Sequence, residues 1–459
     1  MKNPKPNIDK PEPIEGGRGV RGVFMRQSHW LIGCFFAVCF ASQIHAEDGL
    51  DRLKLDRLEK QHDAIAELRS KRTEPRVERP YQDYRANLHV HSAFSHDSRG
   101  KIEQIVAAAK AAGSQVILFT EHPATHYDFL TDGHQGIRDG VLLVPGAEMK
   151  GFLVFPKHNV QAFAGADKQE FSNIVRGRGG LTFVSHLEER MDWQIHGATG
   201  CEIYNTHADF KDESRLIASL KNPLWLIQAK KLFDRYPQES FSALMDYPAD
   251  YLRRWDELCL IHPHSGVSAN DAHQNVGLVV RLIDGGKVQV EDPLGEKILE
   301  LDRSIFAAIQ EIPPSTPVGT ELFRMQIDPY ENSLRHVGTH LLMKELSVDA
   351  TWESLNSGRA FVAFDWLADS TGFDFVAMQS EGRIEMGSQA DWKPNTKFRA
   401  VATHSVQWRL KRNGKSIYET TGLALTHDVA EPGVYRVEAW LNVADREHAW
   451  ILSNPIYLR

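Results

Sequence analysis

The run Asn87-Leu88-His89-Val90-His91-Ser92 gives the first indication of the fold, because apolar and polar residues alternate along it as in a β-strand. Side chains two positions apart on a strand point to the same face, so His89 and His91 are expected to face a common point. Further along the chain, Asp271-Ala272-His273 repeats this spacing with a carboxylate and an imidazole. Two such pairs predict a metal site at the ends of two strands.

Between the two pairs, short apolar runs alternate with stretches of helical periodicity. The clearest helix, Lys101–Ala112, has one apolar face and is followed by Gly113, a common stop signal. This alternation predicts an α/β fold with a mainly parallel sheet or barrel, and residues 210–260 are interpreted as a helical insertion over its mouth. The predicted strands are Ala86–Val90, Gln115–Thr120, Val141–Pro145, Phe152–Phe155, Leu181–Ser185, Cys201–Tyr204 and Gly266–Ala269.

Residues that commonly bind metals recur where these predicted strands end, which is where barrel enzymes place their sites. Imidazoles together with carboxylates suit Zn, Mn or Fe better than Ca or Mg alone. Several carboxylates among many histidines favour more than one ion, since one carboxylate can bridge two cations. His96 is an alternative ligand to its neighbour Asp97. The predicted metal ligands are His89, His91, Asp97, His122, Glu148, His158, His186, Asp271 and His273.

Further residues are candidates for catalysis or for support of the ligands. Arg190 follows His186 by four residues and is predicted to hold a substrate phosphate, the alternative being a solvated charge. Glu202 ends a predicted strand and is a candidate to bind metal or to orient a ligand. His207 lies just beyond it, the alternative being a surface histidine. The predicted catalytic residues are Glu148, Asp271, Arg190 and His207.

These motifs in combination resemble those of the PHP-domain (polymerase and histidinol phosphatase) metallohydrolases. The resemblance covers roughly residues 84–275 and implies a distorted seven-stranded β/α barrel of the PHP type with two or three divalent ions. The matching segments are the run 87–92 with Ser95 and Asp97, then Thr120-Glu121-His122, Gly146-Ala147-Glu148 with His158, His186, and Asn270-Asp271-Ala272-His273.

The resemblance also implies an assignment of ligands to ions. His89, His91, Glu148 and Asp271 would hold the first ion. Glu148 would bridge to a second ion held by His158 and His186, and the third would be bound by Asp97, His122 and His273. A fainter resemblance, carried by the segments EIYNTH at 202–207 and SNPIY at 453–457, is to the subgroup that includes carbaryl hydrolases.

The predicted function is hydrolysis of a small, phosphorylated ester by metal-bound hydroxide, because clustered cations lower the pKa of bound water and stabilise charge on the group under attack. The first alternative is the same centre acting on a carboxyl ester, amide or carbamate. The second is a non-catalytic, metal-containing binding protein. The formal net charge of −8 argues against general binding of nucleic-acid polymers.

The N-terminal region is interpreted as an export signal. Three arginines precede the apolar run Leu31–Ala41, which is too short to span a bilayer, and cleavage is expected after Ala46. The alternative is an uncleaved anchor or a buried helix. Export predicts a periplasmic or secreted protein with no stable membrane span after processing. In an oxidising compartment Cys201 and Cys259 either form a bridge or remain buried thiols, and the latter is favoured.

Four regions are expected in the 459 residues. The Asp284-Gly285 and Asn413-Gly414 pairs predict hairpins, and several short alternating strands after residue 370 predict a β-sandwich. The role of residues 276–365 is left open by the sequence. The regions are 1–46, the signal peptide region; 47–80, a helix and linker; 81–369, the metallohydrolase domain with its insertion; and 370–459, a small all-β sandwich domain.

Overall fold

The computed structural model describes residues 49–75, 77–125, 127–219, 223–307 and 311–459. All of these residues fall within the unit Glu47–Arg459. The predicted signal peptide region therefore lies outside the described residues. None of the helices in the described part of the chain is both long and apolar enough to cross a bilayer.

Two helices of the described residues precede the first strand, and five lie between β8 and β9, where the sequence predicts a helical insertion. Two short 3₁₀ turns, Gln161–Phe163 and Leu187–Glu189, supplement them. The α-helices are α1 (Gly49–Arg52), α2 (Leu55–Ser70), α3 (Ile102–Ala112), α4 (Lys168–Gly177), α5 (Thr206–Asp212), α6 (Ser214–Ser219), α7 (Pro223–Arg235), α8 (Pro237–Ser242), α9 (Ala249–Ile261), α10 (Arg303–Ala307), α11 (Tyr330–His336) and α12 (Val348–Ser357).

The strands begin with the segment that carries the first histidine pair. They are β1 (Gln82–Val90), β2 (Val116–Phe119), β3 (Gly136–Arg138), β4 (Val141–Val144), β5 (Ala147–Met149), β6 (Phe152–Phe155), β7 (Leu181–Val184), β8 (Gly200–Asn205), β9 (Ser265–Ala272), β10 (Gly277–Ile283), β11 (Lys287–Glu291), β12 (Lys297–Asp302), β13 (Glu321–Gln326), β14 (Gly338–Met343), β15 (Ala360–Ala363), β16 (Asp374–Gln379), β17 (Gly382–Glu385), β18 (Gln389–Ala390), β19 (Lys397–Arg412), β20 (Lys415–Asp428), β21 (Gly433–Val443), β22 (Arg446–Ser453) and β23 (Ile456–Leu458).

The chain has a mixed α/β fold built on one large sheet that closes on itself. Strand β1 lies parallel to both β2 and β9, and β9, β8 and β7 follow one another in parallel. Among the seven predicted strands the exception is β6, which runs antiparallel to both β5 and β7. The seven predicted strands are all present, but the sheet around them is mixed rather than mainly parallel; the seven-stranded count of the barrel stays a prediction.

Local sequence signals explain several element boundaries. Helix α3 buries Ile102, Ile105 and Ala109 and ends at Gly113, whose φ of 80° suits a residue without a Cβ atom. The Asp284-Gly285 signal is confirmed, because β10 and β11 pair with Ile283 opposite Lys287. These elements belong to a separate four-stranded sheet ordered β12-β11-β10-β13.

The C-terminal strands are continuous with the large sheet and pair antiparallel, except that β18 lies parallel to β23. The Asn413-Gly414 hairpin is confirmed by the pairing of Arg412 with Lys415. Strand β22 pairs with β15, which in turn pairs with β14 and so with β1. The Arg436 guanidinium of β21 forms two 2.7 Å hydrogen bonds with Asp256 of α9. The separate β-sandwich domain with a boundary at 369–370 therefore stays a prediction.

Candidate metal centre

Eight of the nine predicted ligands converge in the structure, at the end of the large sheet where β1, β7 and β9 finish. Within each of three overlapping groups, one ligand atom from every residue lies within 4.8 Å of the others. We call His89, Glu148, His186 and Asp271 the inner group and His91, Asp97, His122 and His273 the outer group. In the inner group the side chains are at most 13% exposed, whereas Asp97 and His122 of the outer group reach 27% and 29%.

Irregular backbone, rather than plain strand alternation, aims the inner ligands. Strands β1 and β9 change register between Leu88 and Val90, which is the signature of a β-bulge. At this point His89 and Asp271 adopt positive φ angles of 61° and 47°, and His186 after β7 has a φ of 44°. Non-glycine residues rarely adopt this conformation and cluster at functional sites when they do.

Glu148 contacts both groups. Its Oε2 atom lies 3.3 Å from His89 Nε2 and 3.8 Å from His122 Nε2, and its Oε1 atom lies 3.3 Å from His186 Nε2. The Ser185 hydroxyl donates a 3.2 Å hydrogen bond to Oε1. This position allows one carboxylate to bridge two cations.

Asp271 is the second shared carboxylate. Its Oδ1 atom lies 3.2 Å from His89 Nε2 and 3.6 Å from His91 Nε2, while Oδ2 lies 3.5 Å from His186 Nε2. In the outer group the Asp97 Oδ2 atom lies 3.1 Å from His122 Nε2 and 3.2 Å from His273 Nε2. Each group thus combines at least two imidazoles with a carboxylate.

Four of the imidazoles direct Nε2 into the centre while Nδ1 is held from behind. A hydrogen bond of 2.7 Å joins His89 Nδ1 to Glu202, and one of 3.0 Å joins His186 Nδ1 to Glu188. For His91 the partner is the Ser95 hydroxyl at 3.0 Å, and for His273 it is the main-chain oxygen of Asp271 at 2.8 Å. Metal-binding histidines are typically oriented in this way.

Two buried polar atoms support a fit to cations. His91 Nε2 and Asp97 Oδ1 are buried and have no hydrogen-bond partner among the described residues. Burial and the neighbouring His273 and His89 keep the pKa of His91 well below its usual range, so its Nε2 lone pair is available. Both atoms belong to residues of the outer group, so a divalent ion bound there would supply the partner that each lacks.

The electrostatics of the inner group point the same way. Burial on its own would raise the pKa values of Glu148 and Asp271, but nearby histidines hold both carboxyls well below their usual range. Burial opposes protonation of His186, yet hydrogen bonds to Glu148 and Glu188 raise its pKa to about 10. Both carboxylates are therefore strongly disposed to face positive charge.

His158 is the predicted ligand that the structure does not bring to the centre. It is exposed and belongs to none of the groups formed by the described residues. The reason is the direction of β6: Phe152 lies opposite Val184 near His186, whereas Phe155 lies opposite Leu181 at the far end of β7. His158 follows Phe155 and so lies at the opposite end of the sheet. The alternative ligand His96 is also exposed and outside the groups, while its neighbour Asp97 is included.

The two other catalytic candidates have different surroundings. The Arg190 Nη1 atom donates 3.0 Å hydrogen bonds to the main-chain oxygens of Ser185 and His186, so its described contacts stabilise the loop that carries a ligand. Its role in phosphate binding stays a prediction. His207, at the start of α5, places its ring 5.4 Å from that of His273, and burial lowers its pKa to about 4. Cys201 and Cys259 are free, buried thiols.

Sequence reasoning did not identify Tyr330, which comes from the region of unassigned role. Its hydroxyl lies 2.7 Å from the main-chain oxygen of His91 and 3.2 Å from that of His273. The Ser98 hydroxyl, 2.8 Å from Tyr330, contacts the same two oxygens. Residue 330 is far from both pairs in sequence and carries no motif, so no local signal indicated it.

Glu121 also supports the centre without joining it. Its carboxylate accepts hydrogen bonds from the Ser92 main-chain N–H and from the Ser92 and Ser95 hydroxyls. Since Ser95 contacts His91 Nδ1, Glu121 fixes the loop that follows the first histidine pair. Its place beside His122 in the second motif was the available signal.

The fold and the cluster together define a mixed α/β protein with a candidate polynuclear metal centre. Residues 87–254 match the family model of the PHP domain, so this chain contains a PHP domain. Asp271 and His273 lie beyond the matched residues but complete the centre in space. No curated protein matches the chain significantly.

Among solved structures, the chain is similar to one from Bacteroides vulgatus ATCC 8482, described as a two-domain protein containing a predicted PHP-like metal-dependent phosphoesterase. The two share 13% identity with a TM-score of 0.33, over 83% of this chain and 98% of that one.

Proposed function

We propose that this protein is a metal-dependent hydrolase that acts on small phosphoesters. The observation that carries the proposal is that eight imidazole and carboxylate side chains form overlapping groups, in each of which the nitrogen and oxygen atoms lie close enough to share a metal ion. The PHP domain at residues 87–254 supports the same class of activity. No other arrangement of catalytic type was identified in the sequence.

The ligand set favours two ions, drawn from Zn, Mn or Fe. The inner and outer groups each supply a complete set of donors, and Glu148 and Asp271 lie between imidazoles of both. A third ion would need His158, which is exposed at the other end of β6. Bound divalent ions lower the pKa of coordinated water and stabilise the charge that develops on an ester under attack.

The chain's own residues divide the remaining work. Burial raises the pKa values of Glu148 and Asp271, but the surrounding histidines lower them by more. Both carboxylates therefore remain ionised across the physiological pH range. His207 is neutral at pH 7, so its ring N–H can donate a hydrogen bond to a substrate oxygen without adding charge. The partly exposed side of the outer group, at Asp97 and His122, gives the substrate access.

The test uses the full chain, stripped of metal and reloaded separately with Zn²⁺ or Mn²⁺. Metal-dependent turnover of p-nitrophenyl phosphate or bis(p-nitrophenyl) phosphate is expected, and Asp271→Ala should abolish it. Turnover of p-nitrophenyl acetate or a p-nitrophenyl carbamate, without phosphoester turnover, would reject the phosphoesterase and favour the alternative ester or carbamate hydrolase. Tight metal binding with no turnover of any of these esters would favour a binding protein.

Export belongs to the same proposal. Its support is the apolar run Leu31–Ala41, preceded by arginines and followed by Ala46. Mass spectrometry of the protein recovered outside the cytoplasm is expected to show an N-terminus at Glu47. An unprocessed N-terminus in that fraction would contradict cleavage at this position.

A further inference from the structure

Glu202 is completely buried and has hydrogen-bond partners on both carboxylate oxygens. Oε1 lies 2.7 Å from His89 Nδ1. Oε2 accepts a 2.8 Å hydrogen bond from the His186 main-chain N–H and a 3.2 Å hydrogen bond from the Asn205 side-chain amide. With these contacts Glu202 connects two ligands of the inner group from behind and is itself outside every group of candidate ligands among the described residues.

The contact with His89 decides which ring nitrogen is free. A carboxylate accepts hydrogen bonds, so His89 Nδ1 carries a proton and donates it to Glu202. Nε2, which faces Glu148 at 3.3 Å and Asp271 at 3.2 Å, then keeps its lone pair for an ion. Glu202 therefore sets the tautomer that His89 needs as a ligand.

The contact with His186 fixes an unfavourable backbone conformation. His186 has a φ of 44°, a region that residues with a Cβ atom seldom occupy. Glu202 accepts from its N–H, while Arg190 donates to its C=O at 3.0 Å. Both main-chain groups of the residue are thus held, and its Nε2 atom stays directed at Glu148 and Asp271.

A third contact extends this arrangement to the helical insertion. The Asn205 amide nitrogen donates to Glu202, and its side-chain oxygen accepts 2.9 Å hydrogen bonds from the N–H groups of His207 and Ala208. Asn205 is therefore the N-cap of α5. One buried carboxylate connects His89 and His186 to the first turn of the helix that carries His207.

From this geometry we infer that Glu202 is a positioning residue that selectively sets the affinity of the inner group for its ion. The inference rests on the proposed function, since it requires a metal centre. Among the described residues no hydrogen bond or ion pair joins Glu202 to the outer group: His91 Nδ1 contacts Ser95, and His273 Nδ1 contacts the main-chain oxygen of Asp271. Loss of the Glu202 charge should therefore weaken one ion site and spare the other.

The variant Glu202→Gln retains the size of the side chain but replaces one acceptor by a donor. If the amide oxygen faces His89, the amide nitrogen opposes two donors, the His186 N–H and the Asn205 amide. If the amide nitrogen faces His89, the ring must accept at Nδ1 and carries its proton on Nε2, where it blocks the ion. Either orientation disturbs the inner group.

The test is a titration of the metal-free full chain with Co²⁺, followed by its visible absorption spectrum and by calorimetry. The wild-type protein is expected to bind two equivalents. In Glu202→Gln one equivalent should retain its affinity and the other should weaken about 10- to 100-fold, the usual effect of losing a carboxylate that orients a ligand. Glu438→Gln is the matched control, because Glu438 is equally buried and contacts Arg436 and Trp440 rather than any ligand.

Each remaining outcome has a separate meaning. Two unchanged affinities in Glu202→Gln would overturn the inference. Equal weakening of both sites, together with a lower unfolding temperature of the metal-free protein, would also overturn it, because that pattern indicates destabilisation of the whole fold. Failure of the wild-type protein to bind Co²⁺ would instead reject the proposed function. Both outcomes are measured as metal affinity, so the experiment does not depend on esterase activity.

Discussion

The imidazole rings of His91 and His273 stack face to face, with centroids 4.1 Å apart and planes inclined by only 13°. Two stacked imidazoles repel when both carry a proton, whereas a cation held by both removes that repulsion. Asp97, 3.2 Å from His273 Nε2, supplies the matching negative charge. The two rings are therefore disfavoured from carrying a proton each, whereas both can bind the same ion.

Metal binding should therefore stabilise the folded protein. An ion present at 100 times its dissociation constant adds about 2.7 kcal/mol to the free energy of unfolding. Scanning calorimetry with excess Zn²⁺ or Mn²⁺ is expected to give an unfolding temperature several degrees above that measured with a chelator, and re-addition of metal should restore it. An unfolding temperature that does not respond to chelation would contradict the assignment of the cluster as a metal centre.

His186 lies in the cluster, whereas His158 is a predicted ligand that lies outside it. Substituting each in turn tests whether the position in the structure decides which of them binds metal. His186→Ala removes a candidate ligand that contacts both Glu148 and Asp271. Phosphoester turnover should therefore fall by at least about 100-fold, and the affinity for one of the two metal equivalents should decrease. His158→Ala changes an exposed side chain at the other end of β6 and should leave both quantities within about twofold of wild type. Equal losses in the two variants, measured at saturating metal, would show that His158 does reach the centre.

The position of His158 away from the centre has a physical cause that no local pattern reveals. The prediction that Phe152–Phe155 forms a strand is confirmed. A continuous apolar run does not tell whether the strand lies parallel or antiparallel to its neighbours, because both arrangements bury it equally. The pairing of β6 between β5 and β7 decides this, and it depends on contacts across the sheet.

The candidate ligands could be predicted where their spacing in the sequence shows that they lie on, or at the end of, a strand. The alternation at His89 and His91 indicated the right face, but the bulge there and the positive φ of Asp271 arise from register differences between β1 and β9. Tyr330 reaches the centre from a helix that follows a separate sheet, so its role depends on packing alone. Sequence patterns therefore indicated the side chains that converge better than the residues that orient them.

His207 is expected to affect turnover without holding metal. It is outside every group of candidate ligands in the described chain, yet its ring lies 5.4 Å from that of His273. His207→Gln should lower kcat for a phosphoester about 100- to 1,000-fold, as expected for the loss of one positioned donor. Metal content, measured by atomic emission on the same sample, should be unchanged. A loss of one metal equivalent would make His207 a ligand, and an unchanged kcat would remove it from the reaction.

A buried ionic cluster away from the metal centre predicts how stability depends on pH. His340 is 1% exposed and lies between two carboxylates, with Nδ1 2.7 Å from Asp83 and Nε2 2.8 Å from Asp365. Burial on its own would lower the pKa of His340, but the two aspartates raise it from 6.5 to about 10. The folded protein therefore keeps this proton over a range in which the unfolded chain has lost it.

The sign of the effect follows from proton linkage. Stability from His340 is complete below pH 6.5 and is lost as the pH rises toward 10, at about 1.4 kcal/mol per pH unit for a single proton. His340→Gln cannot donate a charged hydrogen bond to both aspartates and should unfold at a lower temperature than wild type at pH 6.5. Because the variant lacks the titrating group, the difference in unfolding temperature should shrink steadily up to pH 10. A difference that stays constant or widens over this range would show that His340 is neutral in the folded protein.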